Sequence, residues 1–181
     1  MKKMALLILI VATCTQALAE EVSGPETAML KYADAAKSFD AERITQLMHP
    51  EALQKFRVAF NDAMDGENGT RAQAELLPLF AVSTFEAYKD LSNEEAFKRL
   101  NETVSRGSSE LTAAMGDSEY EIIGRVQEGE EVVLAYALTV TIKGQRLRQE
   151  VVQRLKQHNG VWLLLLPTSA DASLAGLEAR Y

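Results

Sequence analysis

Apolar residues along this chain change their spacing near Met115. From Pro25 to Met115 they recur every three or four positions, which is the period of an amphipathic helix. From Ser118 to Pro167 they alternate with polar residues, which is the period of a strand. The pattern predicts an α+β fold, with N-terminal helices packed on a curved C-terminal antiparallel sheet of four or more strands.

Three residues mark where the first helices begin. Pro25 and Pro50 each suit the first turn of a helix, and Asp40 is a favoured N-cap for a short helix between them. The helix from Pro50 is expected to end at the loop 66–69. Its buried stripe is expected to contain Leu53, Phe56, Phe60 and Met64.

Further helical signals lie between residues 71 and 107. Residues 71–80 have a helical pattern, and Ser92 with Glu95 three residues later forms a capping box. The capping box predicts a helix that Gly107 closes. The inward side of that helix is expected to carry Phe97, Leu100 and Val104.

The second half of the chain predicts an antiparallel meander. Its strands are expected at 118–127, 131–142, 146–157 and 161–166, joined by short turns. Asn159-Gly160 is the strongest hairpin signal, because both residues tolerate a positive φ. One face of the second strand is apolar from end to end, with Val132, Leu134, Tyr136, Leu138, Val140 and Ile142.

The fourth predicted strand, VWLLLL, does not alternate. Its apolar side chains point to both faces, so both faces must be shielded from water. Helices would cover one face, and a loop, a terminus or a partner would cover part of the other. A homodimer through the open sheet face is one arrangement that meets this requirement.

The first residues have the features of a secretory signal peptide. Lys2 and Lys3 precede an apolar run, and Ala17-Leu18-Ala19 provides a small-residue cleavage site. We expect a signal peptide at 1–19, cleaved after Ala19, and a single domain at 20–181 that is periplasmic or secreted. The apolar run is too short to span a bilayer. A rival interpretation is a lipobox, in which Cys14 would carry a lipid.

Composition disfavours several kinds of site. Without Lys2 and Lys3, 17 of the 19 basic residues remain against 26 acidic ones, a formal charge of −9 that disfavours nucleic acid as a partner. Cys14 is the one cysteine, so the cleaved chain would have neither disulfides nor thiolate ligands. Its two histidines, His49 and His158, are far apart, so neither a metal nor a cofactor is expected.

Two stretches together resemble the nuclear transport factor 2-like superfamily. They are PETAMLKYADAAKSFDAERITQLMHPEAL, at residues 25–53, and the long meander from Tyr120 to Leu166. The resemblance implies a cone-shaped α+β fold. Its members include enzymes, ligand carriers and interaction modules, so it implies no single activity. Residues 66–92 depart from the family pattern, which has additional strand structure there, and this leaves strand order and pocket shape open.

Binding without catalysis is the leading hypothesis for function. Ligand sites are concave and mostly apolar, with a few polar groups. The residues expected to line such a site in the cone are Tyr32, Phe56, Phe60, Tyr136, Leu138 and Trp162. The ligand would be small and apolar or amphipathic. The alternative partner is an envelope protein bound through the sheet.

A small isomerase or hydrolase-like enzyme in the same cone is the alternative. Acid–base chemistry of the ketosteroid isomerase kind needs a carboxylate beside tyrosine donors, and Tyr32, Tyr136 and Glu150 are the available residues. His49 could serve as a base, or it could bond backbone carbonyls at a helix end. His158 lies beside a hairpin turn and is expected to be solvated.

A basic stripe alternates along one face of the third strand, with Arg146, Arg148, Arg154 and Lys156. These side chains could bind an anionic ligand or an acidic partner surface. They could also form an ordinary solvated face that acidic neighbours such as Glu131 balance.

Overall fold

The computed structural model describes residues 24–107 and 109–181, so the predicted signal peptide and Cys14 lie outside the described residues. The helices are α1 (Pro25–Lys37), α2 (Ala41–Gln46), α3 (Pro50–Asp65), α4 (Gly69–Leu76), α5 (Phe85–Lys89), α6 (Asn93–Gly107), α7 (Ser109–Gly116) and α8 (Thr168–Arg180). The strands are β1 (Glu119–Glu128), β2 (Glu131–Ile142), β3 (Gln145–His158) and β4 (Val161–Leu164). This architecture confirms the predicted α+β class.

Capping side chains set two of the helix starts, as the sequence predicts. The Asp40 carboxylate accepts a hydrogen bond from the Arg43 backbone N–H at 3.0 Å. The Ser92 hydroxyl accepts one from the Glu95 backbone N–H at 3.1 Å. Each bond satisfies an N–H that has no partner within the first helical turn.

The sheet is an antiparallel meander in the order β1-β2-β3-β4. In its centre, Tyr136 of β2 pairs with Ile122 of β1 and with Val151 of β3. The register shifts between Ile122 and Gly124, and a bulge of this kind bends a strand. Where the family resemblance implies additional strand structure, residues 69–89 form α4, a 3₁₀ turn (Leu77–Phe80) and α5.

The core lies between the helices and one face of the sheet. The predicted stripe of α3 is buried throughout: Leu53, Phe56, Phe60 and Met64. Phe80, which is fully buried, lies 5.0 Å from the Phe60 ring and 6.2 Å from the Phe56 ring between centroids. From the sheet, Val132, Leu134 and Leu155 complete the packing.

The end of β4 and the two residues after it are covered by other parts of the same chain. Leu164 bridges to Met48, and its carbonyl accepts a hydrogen bond from the His49 backbone N–H at 2.8 Å. Leu164, Leu165 and Leu166 are buried, and α8 packs beside them against α3. Packing within the same chain therefore buries these three leucines, whereas Val161 at the start of the strand is 52% exposed. The strand itself ends at Leu164 instead of the predicted residue 166.

One residue expected to face inward, Val104 of α6, is 45% exposed. Leu147 of β3, on the same sheet face as Tyr136, is also 51% exposed. Val126 and Val152 are similarly exposed on the sheet face opposite Tyr136, and contact of that face with a partner stays a prediction. Within residues 24–107 and 109–181, no helix combines the length and the apolar character needed to cross a membrane.

Candidate functional site

An apolar groove lies between α3, α6 and α8, with a cavity volume of about 350 Å³. Ligand sites have volumes of about 300–1,000 Å³, so this groove suits a small ligand. It is lined by Phe56, Phe60, Phe97, Leu100, Asn101, Val104, Leu166, Ala170, Ser173, Leu174 and Leu177.

Helical spacing explains how these side chains reach one groove. Phe56 and Phe60 lie one turn apart on α3, and Phe97, Asn101 and Val104 follow one another along α6. Leu174 and Leu177 lie on one side of α8. Val104 is exposed because its side chain forms part of the groove wall instead of the closed core.

Two polar side chains interrupt the apolar lining. Asn101 Nδ2 donates a hydrogen bond to the Phe97 carbonyl oxygen at 2.8 Å. The Ser173 hydroxyl donates one to the Ser169 carbonyl oxygen at 2.9 Å. The groove therefore has the composition typical of a ligand site, with large apolar walls and few polar groups.

The other large clefts have charged side chains in their walls. One of about 480 Å³ lies on another side of the α3–α8 contact, where Lys55 and Asp171 form an ion pair at 2.6 Å. Another of about 440 Å³ is lined by Trp162 with Gln127, Glu130 and other polar side chains. Charged walls of this kind are ordinary on a protein surface and are less suited to an apolar ligand.

The structure distributes the six predicted ligand-binding residues over three places. Phe56 and Phe60 line the apolar groove. Tyr136 and Leu138 lie on the helix-facing side of β2, where they pack with Tyr32 against the core. Trp162 lines the polar cleft instead. The predicted ligand-binding residues did not include Leu174 and Leu177 of α8, which line the groove. A weak helical spacing of apolar residues after Pro167 is the sequence signal that points to them.

Three tyrosines cluster where α1 meets the sheet. The Tyr120 and Tyr136 rings are stacked with centroids 5.8 Å apart, and Tyr32 lies beside them. Burial raises the pKa of Tyr32 to about 12, and nearby Tyr120 adds to the rise. Burial likewise raises the pKa of Tyr136, with Tyr32 and Tyr120 adding to it. The hydroxyls therefore stay protonated at neutral pH.

Glu150 does not join this cluster. It pairs with Ala137 in the β2–β3 ladder, so its side chain lies on the sheet face opposite Tyr136, and it is exposed. The tyrosine and carboxylate that the enzyme hypothesis requires are therefore on different sides of the sheet.

His49 has a structural position at the start of α3. Its Nδ1 accepts a hydrogen bond from the Glu51 backbone N–H at 3.1 Å, so the imidazole caps the start of α3. The side chain is buried, and its ring lies 5.5 Å from the ring of exposed His158. Burial lowers the pKa of His49 below its ordinary value of 6.5, and the Glu51 carboxylate opposes this change.

We expect His49 to make folding stability depend on pH. Below pH 6.5 the imidazole of His49 binds a proton in the unfolded chain, whereas in the folded chain its lowered pKa keeps it neutral to a lower pH. The wild type therefore loses folding stability as the pH falls from 6.5 toward the lowered pKa. His49→Asn keeps an N-cap acceptor but cannot titrate. Urea unfolding of both proteins across this pH range should show a difference in stability that narrows as the pH falls.

His158→Asn is the companion variant, because the His158 ring lies 5.5 Å from that of His49 and its charge contributes to the lowered pKa of His49. That variant should keep most of the wild-type dependence on pH, because burial is the largest cause of the lowered pKa of His49. Parallel curves for the wild type and His49→Asn would show that the buried imidazole does not control the response.

The basic stripe on β3 is neutralised by carboxylates. Its ion pairs are Arg146 with Glu119, Arg148 with Glu121, Arg154 with Glu131 and Asp171, and Lys156 with Glu51. The pairs are at least partly exposed and each contributes little to stability. The arrangement matches a balanced, solvated face, with Glu131 among the acidic neighbours as predicted.

Arg57 is a buried cation that sequence reasoning missed. It is 7% exposed, and within the described part of the chain it has no ion pair with a carboxylate. Its Nη2 donates to the carbonyl oxygens of Tyr88 at 2.7 Å and Lys89 at 3.1 Å, and its guanidinium carbon lies 3.9 Å from the Tyr88 ring centroid. Arg57 thus joins α3 to the end of α5.

Within the described residues, no group of three or more His, Cys, Asp or Glu side chains is placed to hold a metal ion. No protein-family model matches the chain, and no curated protein matches its sequence. The structure is similar to the solution structure of a SEC-C motif containing protein from Rhodopseudomonas palustris. That similarity has 12% sequence identity and a TM-score of 0.43, and it covers 81% of this chain and 78% of that chain.

Proposed function

We propose that this protein binds a small apolar or amphipathic ligand in the groove between α3, α6 and α8. The observation that carries the proposal is the apolar lining of a cavity of about 350 Å³. Burying apolar ligand surface there would contribute roughly 25 cal/mol per Å² before the costs of association. Export of the chain after cleavage at Ala19 is part of the same proposal.

Ala170→Phe tests the groove directly. Ala170 lies in the lining, so a phenyl group at this position would occupy the space that a ligand needs. We expect N-phenyl-1-naphthylamine, a neutral apolar dye, to bind the wild type saturably with increased fluorescence. In Ala170→Phe its Kd should rise roughly tenfold or more, which corresponds to about 1.4 kcal/mol of lost binding free energy.

Ala172→Phe is the matched control, because Ala172 is exposed on the same helix and outside the groove lining. It adds the same apolar surface to α8 and should leave the Kd unchanged. Equal dye affinity in wild type and Ala170→Phe would place the dye elsewhere and would count against the proposed site. Absence of saturable binding to the wild type would reject the proposed function.

A further inference from the structure

Each polar side chain of the groove donates one hydrogen bond to the backbone. Asn101 Nδ2 and the Ser173 hydroxyl each donate to a carbonyl oxygen, at 2.8 Å and 2.9 Å. A carbonyl oxygen cannot donate, so the direction of each bond is fixed and so is the orientation of the Asn101 amide. Asn101 Oδ1 and the lone pairs of Ser173 Oγ remain as acceptors, and the second N–H of Asn101 Nδ2 remains as a donor.

No charged residue is present in the groove lining. On α6, Lys98 forms ion pairs with Glu42 and Glu95, and Arg106 forms one with Glu102. These cations are engaged outside the groove. A ligand carboxylate would therefore lose its water and gain no cation and at most one amide N–H, which is unfavourable.

The groove also lacks a carboxylate for a positively charged ligand. Asp171 follows Ala170 directly, but its carboxylate contacts Lys55 at 2.6 Å and Arg154 at 3.7 Å in the neighbouring cleft. An ammonium group would lose its water and would gain hydrogen bonds to neutral acceptors only. A neutral donor has no such cost, because a single hydrogen bond to Asn101 or Ser173 replaces the one it made with water.

From two neutral acceptors, one amide donor and a lining without charged side chains, we infer that the ligand is a neutral, alcohol-type amphiphile, whose hydroxyl donates to Asn101 or Ser173 while its hydrocarbon part fills the groove. The inference rests on the proposed function and adds the chemical class of the ligand. The cavity volume of about 350 Å³ limits the hydrocarbon part to a short chain or a small ring system.

Competition against bound N-phenyl-1-naphthylamine at pH 7.5 tests the ligand class. The competitors are 1-decanol, decanoate, decylamine and decyl methyl ether, which share one chain and differ in the head group. We expect 1-decanol to displace the dye at roughly three- to tenfold lower concentration than the ether, which is the gain in affinity expected from one additional hydrogen bond. Decanoate and decylamine should be weaker competitors than the ether.

The double variant Asn101→Leu with Ser173→Ala removes both acceptors and keeps the apolar walls. It should bind the dye and the ether as the wild type does, but lose the preference for 1-decanol. If 1-decanol and the ether compete equally in the wild type, the hydroxyl inference is wrong while apolar binding stands. Stronger competition by decanoate or decylamine would also overturn it. If the dye does not bind to the groove, both proposals fail.

Discussion

Arg57→Ala is expected to lower the free energy of unfolding by about 3–6 kcal/mol. The change removes charge-assisted hydrogen bonds to the Tyr88 and Lys89 carbonyl oxygens, each worth about 1.5–3 kcal/mol, and it leaves a cavity beside the Tyr88 ring. Urea unfolding followed by circular dichroism measures the loss.

Two further variants separate the causes of that loss. Arg57→Met fills most of the volume without a buried charge, so it should cost less than Arg57→Ala. Arg43→Ala is the surface control, because Arg43 pairs with Asp34 at 3.0 Å where both side chains are exposed, and it should cost less than about 1 kcal/mol. A similar small cost for Arg57→Ala would mean that α5 does not depend on this guanidinium.

Phe80→Ala should destabilise the protein by about 3–5 kcal/mol, the usual cost of removing a buried phenyl group. Phe80 is fully buried and contacts the Phe56, Phe60 and Tyr88 rings, with the Tyr88 centroid 4.6 Å away. The midpoint of urea unfolding should fall while the slope stays close to that of the wild type.

Phe85→Ala is the control for the aromatic cluster. Phe85 is half-buried at the edge of the cluster, stacked on Tyr88 at 6.2 Å between centroids, so its loss should cost clearly less than that of Phe80. Phe56 and Phe60 also line the groove, so Phe80→Ala should weaken dye binding as well. Equal costs for the two variants would contradict the central position assigned to Phe80.

Much of the fold could be predicted because its signals are local. The Asp40 cap, the prolines at helix starts and the alternation along β2 each depend on neighbours within a few residues, and the structure contains all of them. The helix α8 was missed because its sequence is rich in alanine and serine and has little amphipathic contrast. Its position depends on packing against α3, which no local pattern encodes.

The candidate site could be predicted only in part, for the same reason. Phe56 and Phe60 belong to a regular apolar stripe that the sequence shows. Asn101 and Ser173 line the groove only because α6 and α8 pack on either side of that stripe. Arg57 directly follows Phe56, and a charged residue in that position is normally read as solvated. The resemblance to the nuclear transport factor 2-like superfamily stays a prediction.

The bridge between Leu164 and Met48 has a consequence for the order of folding. It joins the start of the helical half to the last strand, and the Lys55–Asp171 pair spans 116 residues of the same chain. Contacts this distant in sequence require a large loop to close before they contribute, which slows folding. During synthesis, α2 and α3 would remain without their partner strand until most of the chain had been translated, and their apolar stripes would be open to chaperones in that interval.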